Sequence, residues 1–379
     1  MKKAISLLLL VYLTITAAAA FEINGNVSSL TAGKTASIRT IDIHETGKAS
    51  LGLKIPLDFN KNTNLKIAGD LSLQWQVNST KFDTILDCTE LSLIMAIPLS
   101  DQSYGSFEMG RFSVKDCTEL IFMQNLDGVR FLIDSPSVKT HLYGGYTGLL
   151  NAHHNPMLPT PTRAYTGVYP TSPSYVTGDL YAYLPDVYDD KSIGIEILGA
   201  FNPAASTQNR LYATLRIDGN FLFFIPYTLC TTLSWTNENN KFGHMANLSF
   251  ASMEYTIDSI HFGGKMLHAS GNTPNFSHFK QLSAIYADKG STMFYANLIK
   301  LGAFIDHTAS NDVKIAFDIF AFMNLSQSQA ILFNGIQWGL NVDIPFINKS
   351  KLVFDLGQLI PIKNGKFNTT LSMHLSFGF

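Results

Sequence analysis

Stretch after stretch of this chain places an apolar residue at every second position, and that period constrains the fold more than any other feature. In LGLKIPLDF, Leu51, Leu53, Ile55, Leu57 and Phe59 share one face while Lys54 and Asp58 share the other. In LKIAGDLSLQWQVN, Leu65, Ile67, Leu71, Leu73, Trp75 and Val77 alternate with Lys66, Asp70, Gln74 and Gln76. Leu211, Ala213, Leu215 and Ile217 alternate with Thr214, Arg216 and Asp218. Ile315, Phe317, Ile319, Met323 and Leu325 alternate with Asp318 and Asn324. Leu332, Ile336, Trp338, Leu340, Val342 and Ile344 alternate with Gln337, Asn341 and Asp343. A period of two puts successive side chains on opposite faces of a strand. The chain ends in the same way, on LSMHLSFGF.

A soluble β-sandwich also alternates, but it typically closes within about 100 residues. Here the pattern runs from Phe21 to Phe379 without a linker or a change of composition. Turn-rich stretches (NKNTN, SDQSYG, SPS, TASND, INKSK) punctuate it. The spacing predicts an all-β chain of about 16–18 antiparallel strands, a number at which a closed barrel encloses an aqueous channel. KIPLDFNKNTNLKIAGDL and DIPFINKSKLVFDLGQL share a strand, a short Asn/Lys turn and a second strand, and both turns read as lying on one rim.

Residues 1–20, MKKAISLLLLVYLTITAAAA, read as a secretory signal peptide: Lys2 and Lys3, an apolar run, then Ala18-x-Ala20 before Phe21. Residues 21–379 are then one transmembrane barrel. Without Lys2 and Lys3, 25 basic residues face 29 acidic ones, which argues against nucleic acid as a partner. Only 15% of residues are charged, and no apolar run after the signal is long enough for a membrane helix. A closed barrel reconciles an exported, apolar chain with the absence of such runs, because it satisfies every backbone group within the sheet. Trp75, Phe59, Trp235, Trp338, Phe346, Phe377 and Phe379 sit toward strand ends on the apolar face, where interfacial girdles need rings.

The ending SFGF, with Phe379 last and Phe377 two before it, resembles the terminal-strand signature of bacterial outer-membrane β-barrels. The stretch GRFSVKDCTELIFMQNLDGVRF resembles a hairpin of porin-type channels. The resemblance implies assembly into the outer-membrane bilayer by the barrel-assembly machinery, with Phe377 and Phe379 as the signal. It also implies a channel for passive diffusion of small polar solutes and no enzymatic activity or cofactor. A homo-oligomer stays open.

The faces opposite the apolar ones would line the lumen, with Lys54, Asp58, Lys66, Asp70, Arg130, Glu196, Arg216, Asp318, Asp343 and Asp355, and with Lys314. DCTEL occurs twice, at 87–91 and 116–120, about a hairpin turning near SDQSYG. A β-bulge near Gly110 would bring Cys88 opposite Cys117 on the lumen side, within reach of a disulfide. Two unrelated small apolar residues explain the pair equally well. Phe112 and Val114 are expected to face outward. His153-His154 reads as a solvated loop rather than a metal site, since no further ligand lies at suitable spacing. Residues 151–190, rich in Tyr and Pro, read as one long loop that either enters the pore or binds an external partner. The second function is therefore a barrel-anchored adhesin. His44, His261, His268 and His374 form no recognisable triad.

Overall fold

The computed structural model describes residues 22–37, 40–60, 63–76, 82–153, 157, 168–188, 190–205, 208–222, 224–238, 241–271, 277–282, 297–325, 331–347, 350–361 and 367–378. Residues 1–20, His154 and Phe379 lie outside them. The strands are β1 (Glu22–Ser37), β2 (Thr40–Asn60), β3 (Thr63–Gln76), β4 (Phe82–Ser100), β5 (Ser103–Lys115) and β6 (Met123–Asp134). They continue as β7 (Lys139–Tyr146), β8 (Val176–Tyr188), β9 (Lys191–Phe201), β10 (Arg210–Phe221), β11 (Ile225–Glu238) and β12 (Lys241–Ile257). The last six are β13 (Ile260–Ala269), β14 (Leu298–Thr308), β15 (Lys314–Leu325), β16 (Ile331–Ile347), β17 (Ser350–Pro361) and β18 (Phe367–Gly378). Each pairs antiparallel with the next, and β18 pairs with β1, so this single 18-stranded sheet closes on itself.

Strand order fixes two rims. The turns after β2, β4, β6, β8, β10, β12, β14 and β16 are short and share one rim with Glu22 and Gly378. Both Asn/Lys turns of the internal resemblance lie there, as expected. The connections 116–122, 147–175 and 270–297 all arise at the other rim.

Alternation sorts the two faces. Leu71, Met109, Val129, Leu142, Leu180, Ile195, Leu229, Met253, Met266 and Phe317 are exposed on the outside of the wall. Ser92, Glu108, Gln124, Asp179, Glu196, Thr214, Thr232, Ser252 and Gln337 are buried on the inside. An isolated soluble chain would not expose so much apolar surface, whereas lipid tails meet it without cost. Tyr104, Tyr188, Phe221, Phe224 and Phe346 add an exposed aromatic ring near the short-turn rim, where a membrane interface favours them.

The inside is not polar throughout. Toward the long-loop rim, Phe112, Val114, Leu126, Leu198, Tyr212, Leu248, Leu267, Phe320 and Phe322 face inward and pack with Ile121, Phe122, Met157, Tyr175, Phe279 and Leu282 of the connections. The connections therefore fold into the barrel mouth and supply a core where open solvent would otherwise stand. Phe112 and Val114 are accordingly 1% and 3% exposed, inside rather than facing outward as the sequence reading had them. The long Tyr/Pro loop is also shorter than expected, because residues 176–188 form β8. Tyr181 and Tyr183 belong to that strand, and Pro185 falls where its register with β9 shifts, between Leu184 and Tyr188.

The two DCTEL copies fold differently. The first is strand: Thr89 bulges out of β4 between Glu90, paired with Ala68, and Cys88, paired with Gly69. The second leaves the wall after Lys115 and turns into the lumen. Gly110 adopts φ 118, but β4 and β5 stay in step through it, with Ser92 opposite Gly110 and Leu91 opposite Arg111. The expected alignment of Cys88 with Cys117 is thereby corrected: Cys88 follows the exposed Leu86 on the outer-face side, Cys117 lies inside, and both thiols are free. Burial, then the Glu196 and Asp116 carboxylates beside it, push the Cys117 thiol well above its ordinary range. Cys117 is therefore expected to resist alkylation while the barrel is folded. In denaturant without reductant all three cysteines should alkylate, and mass mapping that instead finds a Cys88–Cys117 cross-link would refute this arrangement.

β5 parts from β4 beyond Arg111 and pairs with β6 alone as far as Lys115, which leaves one edge of β4 unpaired over residues 82–90. An open edge cannot persist at a membrane barrel wall. The carbonyls of Leu86, Cys88 and Thr89 accept hydrogen bonds from Asn151 Nδ2 (3.0 Å), Arg111 Nη1 (2.9 Å) and Asn125 Nδ2 (2.7 Å). Leu86 N donates to Val168 O at 3.3 Å. The base of the 147–175 connection thus takes the place in the wall that β5 gave up.

Candidate functional site

Residues 116–122 fold into the lumen and are tied there to wall residues and to the 270–297 connection. Asp116 organises them from within: its Oδ1 accepts from Ile121 N (3.0 Å) and Phe122 N (2.7 Å), and its Oδ2 accepts from Thr118 N (2.9 Å) and the Thr118 hydroxyl. Asp116 N donates to Phe122 O at 2.9 Å, closing the turn. A buried carboxylate with this many donors is a local scaffold, because every donor it satisfies would otherwise be stranded.

Two ionisable wall residues, Glu196 and Arg216, hold the turn across the lumen. Cys117 N donates to Glu196 Oε1 of β9 at 2.7 Å, and Arg216 of β10 donates from Nη1 to Cys117 O at 2.7 Å. Arg216 Nε also donates to Asp218 Oδ2 at 2.8 Å, which fixes the guanidinium plane.

Cavities lie on either side of the turn. One, of about 340 Å³, is lined by Cys117, Glu119, Arg216, Tyr227, Thr228 and Glu254. A second, of about 510 Å³, runs from Thr118 and Leu120 to Lys265, Lys300, Asp306 and Asp318. Thr118, Glu119 and Phe250 border both, so the two adjoin as one lined region beside the turn. Its walls carry charge of both signs and aromatic faces. Lys265 pairs with Glu254 at 3.5 Å and lies 4.5 Å from the Phe304 ring centre. Lys300 stands 3.7 Å over the Phe320 ring, and His261 bridges Glu254 and Asp306 at 3.4 and 3.0 Å. Cations over ring faces are held in place without losing their attraction for an anion.

The residues expected to line the lumen divide accordingly. Glu196 and Arg216 hold the turn, and Asp318 borders the larger cavity. Arg130 pairs with Glu108 and lies 4.9 Å from the Phe112 ring centre, in the apolar layer. Lys66 approaches Glu90 at 3.8 Å, Lys314 approaches Asp306 at 3.7 Å, and Asp343 pairs with Lys351 at 3.2 Å. Asp355 accepts from Asn341 (2.7 Å) and Ser372 (3.1 Å). Lys54, Asp58 and Asp70 take their places in β2 and β3, opposite Ala68, Asn64 and Gly52 respectively. The structure does not bring these ten residues to one spot; they are spread around the barrel.

No protein-family model matches the chain, and no curated protein matches it. Solved outer-membrane proteins of Pseudomonas aeruginosa do match in structure. OpdL has a TM-score of 0.63 at 9% identity, covering 96% of this chain and 99% of that one. OpdQ has a TM-score of 0.62 at 8% identity, covering 95% and 98%. OpdK with vanillate has a TM-score of 0.60 at 8% identity, covering 95% and 99%. The chain has the fold of these porin-type barrels over nearly its whole length.

Sequence reasoning missed His141 and Asp179. Each lies on a different strand from Glu196, yet the register sets His141 opposite Tyr181, Tyr181 opposite Glu196, and Asp179 opposite Tyr143. One ring nitrogen and one oxygen from each carboxylate lie within 4.8 Å of one another. No spacing along the chain reveals this; only the pairing of β7, β8 and β9 does. His153 lies elsewhere, in the connection, where its backbone N–H donates to Asn151 Oδ1 at 3.0 Å.

Proposed function

We propose that this chain is an outer-membrane channel for small polar solutes, with residues 116–122 as its constriction. The observation that carries the reading is the combination of a lipid-compatible exterior with a charged region beside an inward-folded turn. Cavities of about 340 and 510 Å³ fit a solute of metabolite size rather than a polymer. Exported passage, recognition of Phe377 and Phe379 by the barrel-assembly machinery, and the absence of catalysis belong to the same reading. Arg216, Lys265 and Lys300 border this region, and OpdK is known with vanillate bound, so small carboxylates are the first solutes to try.

The protein reconstituted in planar bilayers should give discrete single-channel currents, and liposomes carrying it should swell in small carboxylates faster than in neutral sugars of equal size. Bilayers that stay silent after verified insertion would reject the channel. The adhesin reading has less support, because Leu150, Ala152, Met157 and Tyr175 of the 147–175 connection are buried rather than presented to a partner.

A further inference from the structure

The His141–Asp179–Glu196 cluster does not serve the constriction alone. His141 Nε2 and Asp179 Oδ2 are 2.6 Å apart, and Glu196 Oε1 accepts from Cys117 N. That leaves Asp179 Oδ1 and Glu196 Oε2, both buried and without a hydrogen-bond partner, on side chains whose residues are 2% and 1% exposed. The Tyr143 hydroxyl, on the position opposite Asp179, is buried and unpartnered as well. Orphan oxygens on two adjacent buried carboxylates are costly, because each lone pair has given up water for nothing. Two arginines of the inner wall are engaged elsewhere, Arg130 with Glu108 and Arg216 with Asp218 and Cys117 O.

We propose that His141, Asp179 and Glu196 bind a first-row divalent cation of the Zn²⁺ type in the lumen wall. One imidazole and two carboxylates form a nitrogen–oxygen donor set suited to such ions rather than to Mg²⁺ or Ca²⁺, which favour oxygen alone. Zinc bonds of about 2.0–2.2 Å to nitrogen and oxygen require donor atoms to converge from their present spacing by small side-chain rotations. The hydrogen bond between His141 and Asp179 would give way to two metal bonds, with release of the proton they share. His141 keeps a side chain 20% exposed, so the ion enters from the lumen. His141 is packed between Tyr143 and Tyr181, at ring-centre distances of 5.8 and 5.1 Å, which limits its orientation. Because Glu196 also holds Cys117 N, a bound ion would tie β7, β8 and β9 to the constriction. This inference stands apart from the solute reading, since a barrel of any function could carry the site.

The test uses the full-length barrel, folded in detergent and freed of metal, titrated with Zn²⁺ against a chromophoric chelator. Wild type should bind one equivalent, and the His141→Gln and Glu196→Gln variants should each bind at least about tenfold more weakly. His153→Ser should bind as wild type does. Heat-modifiable gel migration verifies that each variant is folded. Co²⁺ provides a measurement free of variants: the wild-type barrel should develop the visible bands of ordered nitrogen–oxygen coordination. A Co²⁺ spectrum no different from the aqueous ion, or Zn²⁺ binding unchanged in folded His141→Gln, would overturn the site.

Discussion

Replacing Asp116 with Ala is expected to give a channel with larger and noisier current than wild type, in a barrel that still inserts. The variant removes the acceptor for Ile121 N, Phe122 N and both Thr118 donors at once. Ile121 and Phe122 are fully buried, so water does not replace the carboxylate. Each stranded amide costs about 1–3 kcal/mol, which together exceeds what one short turn has to offer. Glu119, held at φ 58 in this turn, adds left-handed strain that the Asp116 bonds now counterbalance. The residues on either side are unaffected in their pairing, because Lys115 opposes Met123 at the foot of the β5–β6 ladder. The segment should therefore leave the lumen while the wall persists. Thr118→Ala, which removes only the hydroxyl, should change the conductance far less. Single-channel recording decides: an Asp116→Ala protein of unchanged conductance and normal gel mobility shows that residues 116–122 do not narrow the path.

Most of the wall was legible in the sequence, for a simple reason. A membrane barrel has two faces of opposite polarity, and a period of two writes both into the chain. Leu71 and Leu73, Leu215, and Phe317 and Ile319 all face outward as read, and the count of 18 strands falls at the upper end of the range expected. Alternation gives the faces of a strand but not which solvent each one meets. Phe112 and Val114 look the same whether lipid or an inward-folded loop covers them, so the sequence placed them outside and the structure places them within. DCTEL shows the same limit from another side. In the first copy Asp87 lies in a strand continuing from Phe82; in the second, Asp116 meets its own downstream amides and folds back. Identical pentapeptides diverge because the neighbours of the chain, not the pentapeptide, decide whether strand pairing or local hydrogen bonding wins. Pro185 and the density of Tyr made β8 read as loop, although Tyr181 and Tyr183 stand on the inner wall and the proline only disturbs the register near the strand's end. The cation cluster was out of reach for want of register: Glu196 was singled out, but its partners are 55 and 17 residues away along the chain.

Replacing Arg111 with Ala should loosen the base of the 147–175 connection and destabilise that side of the barrel by about 3–5 kcal/mol, the range for stripping one partner from a buried ion pair. Arg111 makes a two-point contact with Asp127, Nε to Oδ1 at 2.7 Å and Nη2 to Oδ2 at 2.8 Å. Its remaining donors reach Cys88 O (2.9 Å), Tyr169 Oη (2.8 Å) and Leu149 O (3.1 Å). One guanidinium thus joins β6, the open edge of β4 and both arms of the connection. Its side chain is 11% exposed and that of Asp127 22%, so solvent screens the pair little. Alanine would leave the Asp127 carboxylate beside an apolar exterior and the Cys88 carbonyl with no donor. Lysine keeps the charge but lacks the planar fork, so Arg111→Lys should recover only part of the loss. Arg111→Ala/Asp127→Ala removes both charges and should be less damaging than Arg111→Ala alone, which distinguishes a stranded carboxylate from lost packing. Two measurements read the result. Urea unfolding of the reconstituted barrel should show a lower midpoint for Arg111→Ala, and protease added from the long-loop side should cut within residues 147–175 sooner than in wild type. A variant as stable and as resistant as wild type would mean that the β4 edge is sealed by Asn151, Asn125 and Val168 without the arginine.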